Sequence, residues 1–173
     1  MIGFFESLKK PQKGASLIEL LLYFSLLGIL LTVVTDVMLR TSEFSLEAAS
    51  KNDLQGDVRF ITSRLSYDIH QAGSITTPAN LGDSSQTLVL TIGTETHTYT
   101  LSGSNLAYEK TAGASTQTAS INSNKVIVTS LNFQRLGNNG GKPTVRITIG
   151  LEAVKKDKSG PAQKTVETVI GIR

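Results

Sequence analysis

The sequence predicts an α+β protein in which a long N-terminal helix, transmembrane in its first half, packs on a C-terminal antiparallel β-sheet head. Two observations support this class. Residues 17–34 form an almost uninterrupted apolar run, and short alternating runs rich in β-branched residues fill the chain beyond residue 74. The 173 residues suffice for one domain of ordinary size with an appendage.

Composition excludes several classes of protein. No cysteine is present, which excludes a disulfide framework, a thiolate zinc site and a cysteine nucleophile. Charged residues make up only 18% of the chain, too few for a coiled-coil rod. The net charge of +3 is weak and no run of lysine and arginine exceeds two residues, so the charge does not favour nucleic acid as a partner.

The apolar run has the length of a membrane span. Extended back to Ala15 it contains 20 residues, about 30 Å as a helix. Glu19 is the one charged residue between positions 17 and 34. Three lysines between residues 9 and 13 precede the run, so the positive-inside rule places the N-terminus in the cytoplasm and the head outside.

Two ordinary interpretations explain this segment incompletely. A secretory signal peptide has an apolar region of about 7–15 residues followed by a small-residue cleavage site. This run is longer, and Val34-Thr35-Asp36 is a poor site for cleavage. A plain membrane anchor explains the length but not Glu19, because an ionisable residue within a span is costly and indicates a function.

The residues at the start of the run indicate a third interpretation. They read Lys13-Gly14-Ala15-Ser16-Leu17-Ile18-Glu19, with Gly28-Ile29-Leu30 further along. This pattern resembles the type IV pilin and type II secretion pseudopilin family, whose members carry a short basic leader ending in Gly, then an apolar helix with Glu fifth after the cut. The sequence departs from this pattern at two positions. Ala15 replaces the usual Phe, which still allows cutting, and Asp36 stands where major pilins often have Pro, which favours a minor subunit.

The resemblance implies a processing site and an assembly residue. The leader, residues 1–14, would be removed by prepilin peptidase between Gly14 and Ala15, and the new amine of Ala15 would be methylated. Glu19 would then direct assembly, because its carboxylate can meet the Ala15 amine of a neighbouring subunit. Residues 15–40 would form the transmembrane and filament-core half of the helix.

The function implied is that of a non-enzymatic filament subunit without cofactor or metal. Its implied partners are the prepilin peptidase, other pilins or pseudopilins, and the inner-membrane platform protein. The chain would be stored in the cytoplasmic membrane as a single-pass protein and then enter a pilus or pseudopilus. Two alternatives are a membrane-anchored extracytoplasmic binding domain that never assembles, and a DNA-uptake pilin.

A second, amphipathic half of the helix is predicted over residues 41–73. Its apolar positions recur at helical spacing: Leu54, Val58, Ile61, Leu65 and Ile69. Asp57, Arg64 and Asp68 fall between them. Gly73 is predicted to end the helix as a left-handed cap. Residues 59–73 also resemble the pattern of minor pilins and J-type pseudopilins.

The head, residues 74–173, is predicted to be β-rich, with no internal repeat evident. Its predicted elements are strands at 86–92, 96–101 and 105–110, a loop at 111–123, strands at 125–129 and 131–136, a turn at 137–141, and strands at 145–154 and 164–172 joined by a charged loop near 157–161.

Candidate chemical sites in the head are weak. The segment 137–142 departs from a phosphate-binding loop in spacing and is followed by a strand, so a hairpin turn is expected. The remaining candidates are interpreted as packing or surface residues without metal-ligand or calcium-loop spacing: His70, His97, Asp83, Asp157, Lys155, Lys156, Lys158, Tyr67, Tyr99 and Tyr108.

Overall fold

The computed structural model describes residues 16–137, 140–157 and 160–173, without the side chains of residues 156 and 157. It confirms the α+β class, because one long helix is followed by two antiparallel sheets. Helix α1 spans Leu17–Gln71. The strands are β1 (Ser74–Thr77), β2 (Ser84–Ser85), β3 (Thr87–Ile92), β4 (Glu95–Ser102), β5 (Asn105–Ala112), β6 (Ser115–Ser120), β7 (Val126–Leu136), β8 (Thr144–Asp157) and β9 (Gly160–Gly171).

The chain divides into two compact units, Met1–Ser42 and Glu43–Arg173. The described part of the first unit is the apolar portion of α1. The second unit contains the rest of α1 and both sheets. From here on, "head" means this whole unit, residues 43–173, and not residues 74–173 alone. It also contains the hydrophobic core of the described residues.

The first sheet has the strand order β1-β3-β4-β5-β6, and its last four strands form a meander. Gly93, Gly103 and Gly113 each begin a two-residue turn, with φ of 60°, 62° and 60°. Since no described residue other than glycine has a positive φ, these are type II′ turns with the left-handed residue first. Their regular spacing is a repeat that the sequence analysis did not identify.

The second sheet has the order β2-β7-β8-β9 and supplies the other half of the core. Alternate residues of its two central strands point inward, as expected for a sheet with one covered face. Phe133, Val145 and Ile147 are among the most buried side chains in the head.

The predicted apolar face of the second helical half is confirmed. Leu54, Ile61, Leu65 and Ile69 are all at most 4% exposed, and Val58 packs against the same core. Burying such side chains contributes roughly 1.5–3 kcal/mol each, so the helix face and the sheets stabilise one another.

Two predictions in the first sheet are wrong. The expected loop at 111–123 is instead the end of β5, a tight turn and β6, because paired exposed strands need no apolar alternation. Gly73 is not a left-handed cap, since its φ is not positive. Its amide donates to the carbonyl of Thr91 at 2.8 Å, so the chain passes from the helix directly into the sheet.

The second sheet differs from prediction in its boundaries. The separate strands expected at 125–129 and 131–136 are one strand, β7, with an irregularity between Val128 and Ser130. The charged loop expected near 157–161 is narrower, because β8 continues to Asp157 and β9 starts at Gly160. The turn expected at 137–141 falls in the interval between β7 and β8, but residues 138–139 lie outside the described residues, so it stays a prediction.

Replacing two glycines by alanine should change stability in opposite directions. A Cβ at Gly103 meets nothing within 4 Å, so Gly103→Ala suffers only from the left-handed backbone, which costs about 1–3 kcal/mol. Gly56 is equally open but lies within α1, where alanine gains roughly 0.5–1 kcal/mol. Urea denaturation of a fragment covering residues 43–173 measures both changes.

The parent fragment provides the reference. Both variants change glycine to alanine, so both lower the conformational entropy of the unfolded chain by the same amount. A Gly103→Ala variant as stable as the parent would contradict the assigned turn. A loss for Gly56→Ala would contradict the helix at that position.

Candidate functional site

Glu19 lies in the first turn of α1. The amide of Leu20 donates to the carbonyl of Ser16 at 3.1 Å, which places Ser16 at the N-cap and Glu19 three residues later. This is the spacing of a capping box, and a carboxylate in the first turn interacts favourably with the helix dipole. The hydroxyl of Tyr23 donates to Glu19 Oε1 at 3.2 Å. Glu19 therefore has a local partner one turn along the helix.

The helix around Glu19 exposes mostly apolar side chains over a long stretch. No residue in the most apolar 18-residue window of α1 is buried. By its length and composition, α1 could cross a membrane. Leu17, Ile18 and Met38 are each more than 70% exposed. Such a surface requires an apolar environment outside the chain.

Polar groups within this stretch are satisfied by the helix itself. The hydroxyls of Thr32, Thr35 and Thr41 each donate to a carbonyl four residues earlier, at 2.8–2.9 Å. The first charges after Glu19 are Asp36 and Arg40, which pair at 3.0 Å. Glu19 is thus the only ionisable carboxylate among the described residues before Asp36.

The predicted cleavage and methylation sites are not described by the structure. Gly14 and Ala15 lie outside the described residues, as does the leader of residues 1–14. Their roles stay predictions. The structure does place Glu19 where α1 begins, one turn from the position expected for the new amine.

A second polar site lies inside the head, around Asp68 of α1. Asp68 is 1% exposed, and its Oδ2 accepts a hydrogen bond from the hydroxyl of Tyr99. The Nε of Arg64 and the Nδ1 of His97 each approach the same oxygen to 3.3 Å. Because an unpaired buried carboxylate is very costly, these contacts are what allow Asp68 to lie in the core.

Aromatic and basic side chains pack around this carboxylate. Tyr108 lies opposite Tyr99 across β4 and β5, with ring centroids 5.1 Å apart. The Arg64 guanidinium lies 4.9 Å from the Tyr108 ring centroid and donates to the Tyr108 hydroxyl at 3.0 Å. The hydroxyl of Tyr108 is also 3.0 Å from His97 Nδ1. One helix and two strands are therefore joined through one hydrogen-bonded cluster, the Asp68 cluster.

The protonation of the cluster follows from its surroundings. Burial, then the hydrogen bond to Asp68 and that residue's charge, raise the pKa of Tyr99 above its ordinary value, so its hydroxyl stays a donor. Burial lowers the pKa of Arg64, but the hydrogen bond with Tyr99 and the charge of Asp68 outweigh it and raise the pKa overall. At the rim, a hydrogen bond from Lys110 holds the pKa of Glu95 below its usual range.

A second junction holds the helix to the segment after β6. Asp57 Oδ2 accepts hydrogen bonds from the amide and the hydroxyl of Ser123, both at 2.9 Å. Lys125 Nζ pairs with Asp53 at 3.0 Å. The buried Asn122 donates to the carbonyl of Val126 and accepts from the amide of Leu106, which fixes this segment against both sheets.

The other residues considered from the sequence are dispersed. Tyr67 is 58% exposed, His70 lies 3.3 Å from the Ser66 hydroxyl, and Asp83 accepts from Asn80. Lys155 is exposed on β8, and the side chains of residues 156–158 lie outside the described part of the chain. Within the ranges that the structure describes, no group of three or more His, Asp or Glu could hold a metal ion.

The Asp68 cluster is the functional arrangement that sequence reasoning missed. A signal was present, because Asp68 lies three residues after Leu65 and seven after Ile61, on the buried face of the helix. Its partners follow only from the fold, since Tyr99 is 31 residues away. Because three donors converge on Asp68 Oδ2, the cluster positions the helix on the sheets.

Comparisons with protein-family models, with curated proteins and with solved structures find no match to this chain.

Removing one hydroxyl from the Asp68 cluster should destabilise the head. Tyr99→Phe leaves Asp68 with one donor fewer in a buried site, a loss of about 1–3 kcal/mol in the free energy of unfolding. Tyr67→Phe removes the same atom from a side chain that is 58% exposed and should change the stability by less than about 0.5 kcal/mol. Urea denaturation compares the two, and equal effects would contradict the role assigned to Tyr99.

Proposed function

We propose that the chain is a minor structural subunit of a type IV pilus or type II secretion pseudopilus. It is cleaved and N-methylated by prepilin peptidase and assembles through its N-terminal helix. The observation that supports this most is Glu19, a lone carboxylate in the first turn of an exposed apolar helix that continues into a β-rich head. A plain membrane anchor has no use for that carboxylate.

In the monomer stored in the membrane, the free-energy cost of the Glu19 carboxylate is moderate. Glu19 lies two residues after the start of α1, so it is near the cytoplasmic surface of the membrane and its side chain can reach the interface. The cost there is smaller than the roughly 2.5–3.5 kcal/mol of a charge at the bilayer centre. Before assembly, the hydroxyl of Tyr23 donates one hydrogen bond to the Glu19 carboxylate.

Assembly changes the environment of Glu19. When helices bundle and exclude water, a carboxylate with only a tyrosine hydroxyl as partner becomes expensive. The methylated amine of Ala15 on a neighbouring subunit is a cation at the matching end of the helix, and pairing with it also fixes the axial register. Removing one partner of such a buried pair costs about 3–5 kcal/mol.

The head serves this role without chemistry of its own. The Asp68 cluster and the Asp57 junction hold the second part of α1 on the sheets. The partners proposed are the prepilin peptidase, other pilins or pseudopilins and the inner-membrane platform protein. The head lies outside the cytoplasmic membrane before assembly.

Processing at Ala15 is the first expected outcome. Mass spectrometry of the protein extracted from cell membranes should show an N-terminus at Ala15 carrying a methyl group. Gly14→Leu should leave uncut precursor, because a bulky side chain obstructs the bond that the peptidase must reach. Gly3→Leu, the same change elsewhere in the leader, should still be cut.

An intact leader in cells with active peptidase would contradict the proposal. It would favour the alternative of an anchored binding domain that never assembles. Binding of DNA by the head, lost with rising salt, would instead favour the DNA-uptake alternative.

Assembly should depend on the charge of Glu19. Glu19→Gln keeps the acceptor that a capping box requires, so helix formation and cleavage should persist while incorporation into filaments falls at least tenfold, as expected for a loss of about 1.4 kcal/mol or more. Glu19→Asp should recover part of the incorporation. The measurement is the fraction of the protein in sheared filaments relative to the membrane pool.

Glu47→Gln is the matched control, since Glu47 is on the same helix and its pair with Lys51 is exposed. It should assemble like the parent. Equal incorporation of Glu19→Gln and Glu47→Gln would show that Glu19 does not direct assembly.

A further inference from the structure

The β6 strand forms one free edge of the first sheet. All six of its residues, Ser115–Ser120, are exposed. They pair with β5 in continuous register without a bulge. In an antiparallel pair, alternate residues direct their amides and carbonyls away from the neighbouring strand. The outer side of β6 therefore carries a row of backbone donors and acceptors unpaired among the described residues.

Natural proteins protect such edges with charges, prolines, bulges or short strands. The β1 edge of the same sheet is protected. It has four residues with an irregularity in its pairing. The Nη1 of Arg135 also donates to the carbonyl of Ile75 in β1, and to those of Pro78 and Ala79 just after it, at 2.6–3.2 Å, so an arginine side chain lies against this end of the edge.

Both edges of the second sheet are protected as well. The β2 strand has only two residues and covers only Phe133 and Gln134 of β7. Along the rest of that edge, β7 has an irregularity between Val128 and Ser130, and the Val128 amide donates to the carbonyl of Ser104 at 2.9 Å.

The β9 strand contains Pro161, Lys164 and Glu167, and its pairing with β8 is irregular between Glu152 and Lys156. Neither edge offers an even, uncharged row of backbone groups.

None of these protective features occurs in β6. Its sequence, Ser-Thr-Gln-Thr-Ala-Ser, has no charge and no proline. Its free edge would attract any other unprotected strand.

We propose that β6 pairs antiparallel with β6 of a second copy of this chain, which joins the two five-stranded sheets into one. A strand that adds to this edge must itself be unprotected, and β6 is the only strand edge of that kind among the described residues. The contact is isologous, so its two-fold axis passes through the middle of the strand, at Gln117 or Thr118.

The side chains are compatible with that pairing. A register centred on Thr118 places Thr116 opposite Ser120 of the second copy and Gln117 opposite Ala119. No two like charges meet, and Thr–Thr and Thr–Ser pairs across strands are favourable. A six-residue contact is small, so it is weak in solution. Confinement of both copies to one membrane raises their effective concentration and populates the pair.

Single-cysteine variants of the full chain in native membranes test this pairing, because the natural sequence has no cysteine. Residues opposite each other in an antiparallel pair have Cβ atoms about 4.5–5.5 Å apart, close to what a disulfide needs. Mild oxidation of Gln117→Cys or Thr118→Cys should give a cross-linked homodimer. Thr165→Cys on the β9 edge should give several-fold less.

A second variant separates pairing from chance collision. Whichever of positions 117 and 118 lies on the axis and cross-links, lysine at the other position places two like charges diagonally across the axis. Adding Thr118→Lys to Gln117→Cys, or Gln117→Lys to Thr118→Cys, should therefore lower the dimer yield several-fold. Thr165→Lys with Gln117→Cys should not. Cross-linking at positions 117 and 118 no greater than at 165 would overturn the proposal, and so would cross-linking to a different protein without homodimer.

Discussion

The apolar surface of residues 17–42 must be removed from water by something other than the described chain. Each large apolar side chain left in water forgoes about 1.5–3 kcal/mol, so this stretch of exposed Leu, Ile, Val and Phe represents tens of kcal/mol. A whole domain is stable by only about 5–15 kcal/mol. A bilayer or a bundle of like helices meets the requirement, and in the proposed filament Glu19 would gain a cationic partner that a bilayer does not supply.

Within the head, a polar core replaces part of the usual apolar one. Asp68 is buried with Tyr99, His97 and Arg64 as partners, and Asp57 anchors the same helix to Ser123. Replacing a buried charged cluster by apolar residues is often neutral for stability, so its use here is better explained by geometry. Directional bonds fix the axial position of the helix on the sheet, which apolar contacts alone define less sharply.

The second half of the helix was predictable from the sequence because its apolar residues recur at helical spacing. Leu54, Ile61 and Leu65 are examples, and all three are buried against the core. Glu19 could be singled out from the sequence because one charge in an apolar run is a local anomaly, and its role in assembly stays a prediction. The β6 strand was missed since Ser-Thr-Gln-Thr-Ala-Ser carries no alternation, and its pairing depends on the turn at Gly113. The Asp68 cluster was missed because its members meet only in three dimensions. The proposed contact between Glu19 and the Ala15 amine of a neighbouring subunit joins two chains, so one chain alone does not show it.

The central claim is that this chain leaves the membrane for a filament only after its leader is removed. The most direct measurement compares cells with and without prepilin peptidase, following the native chain in sheared filaments and in membranes. The account predicts the chain in filaments only when the peptidase is present, with the longer precursor confined to membranes when it is absent. A chain of the same mass that stays in the membranes of both strains would contradict it.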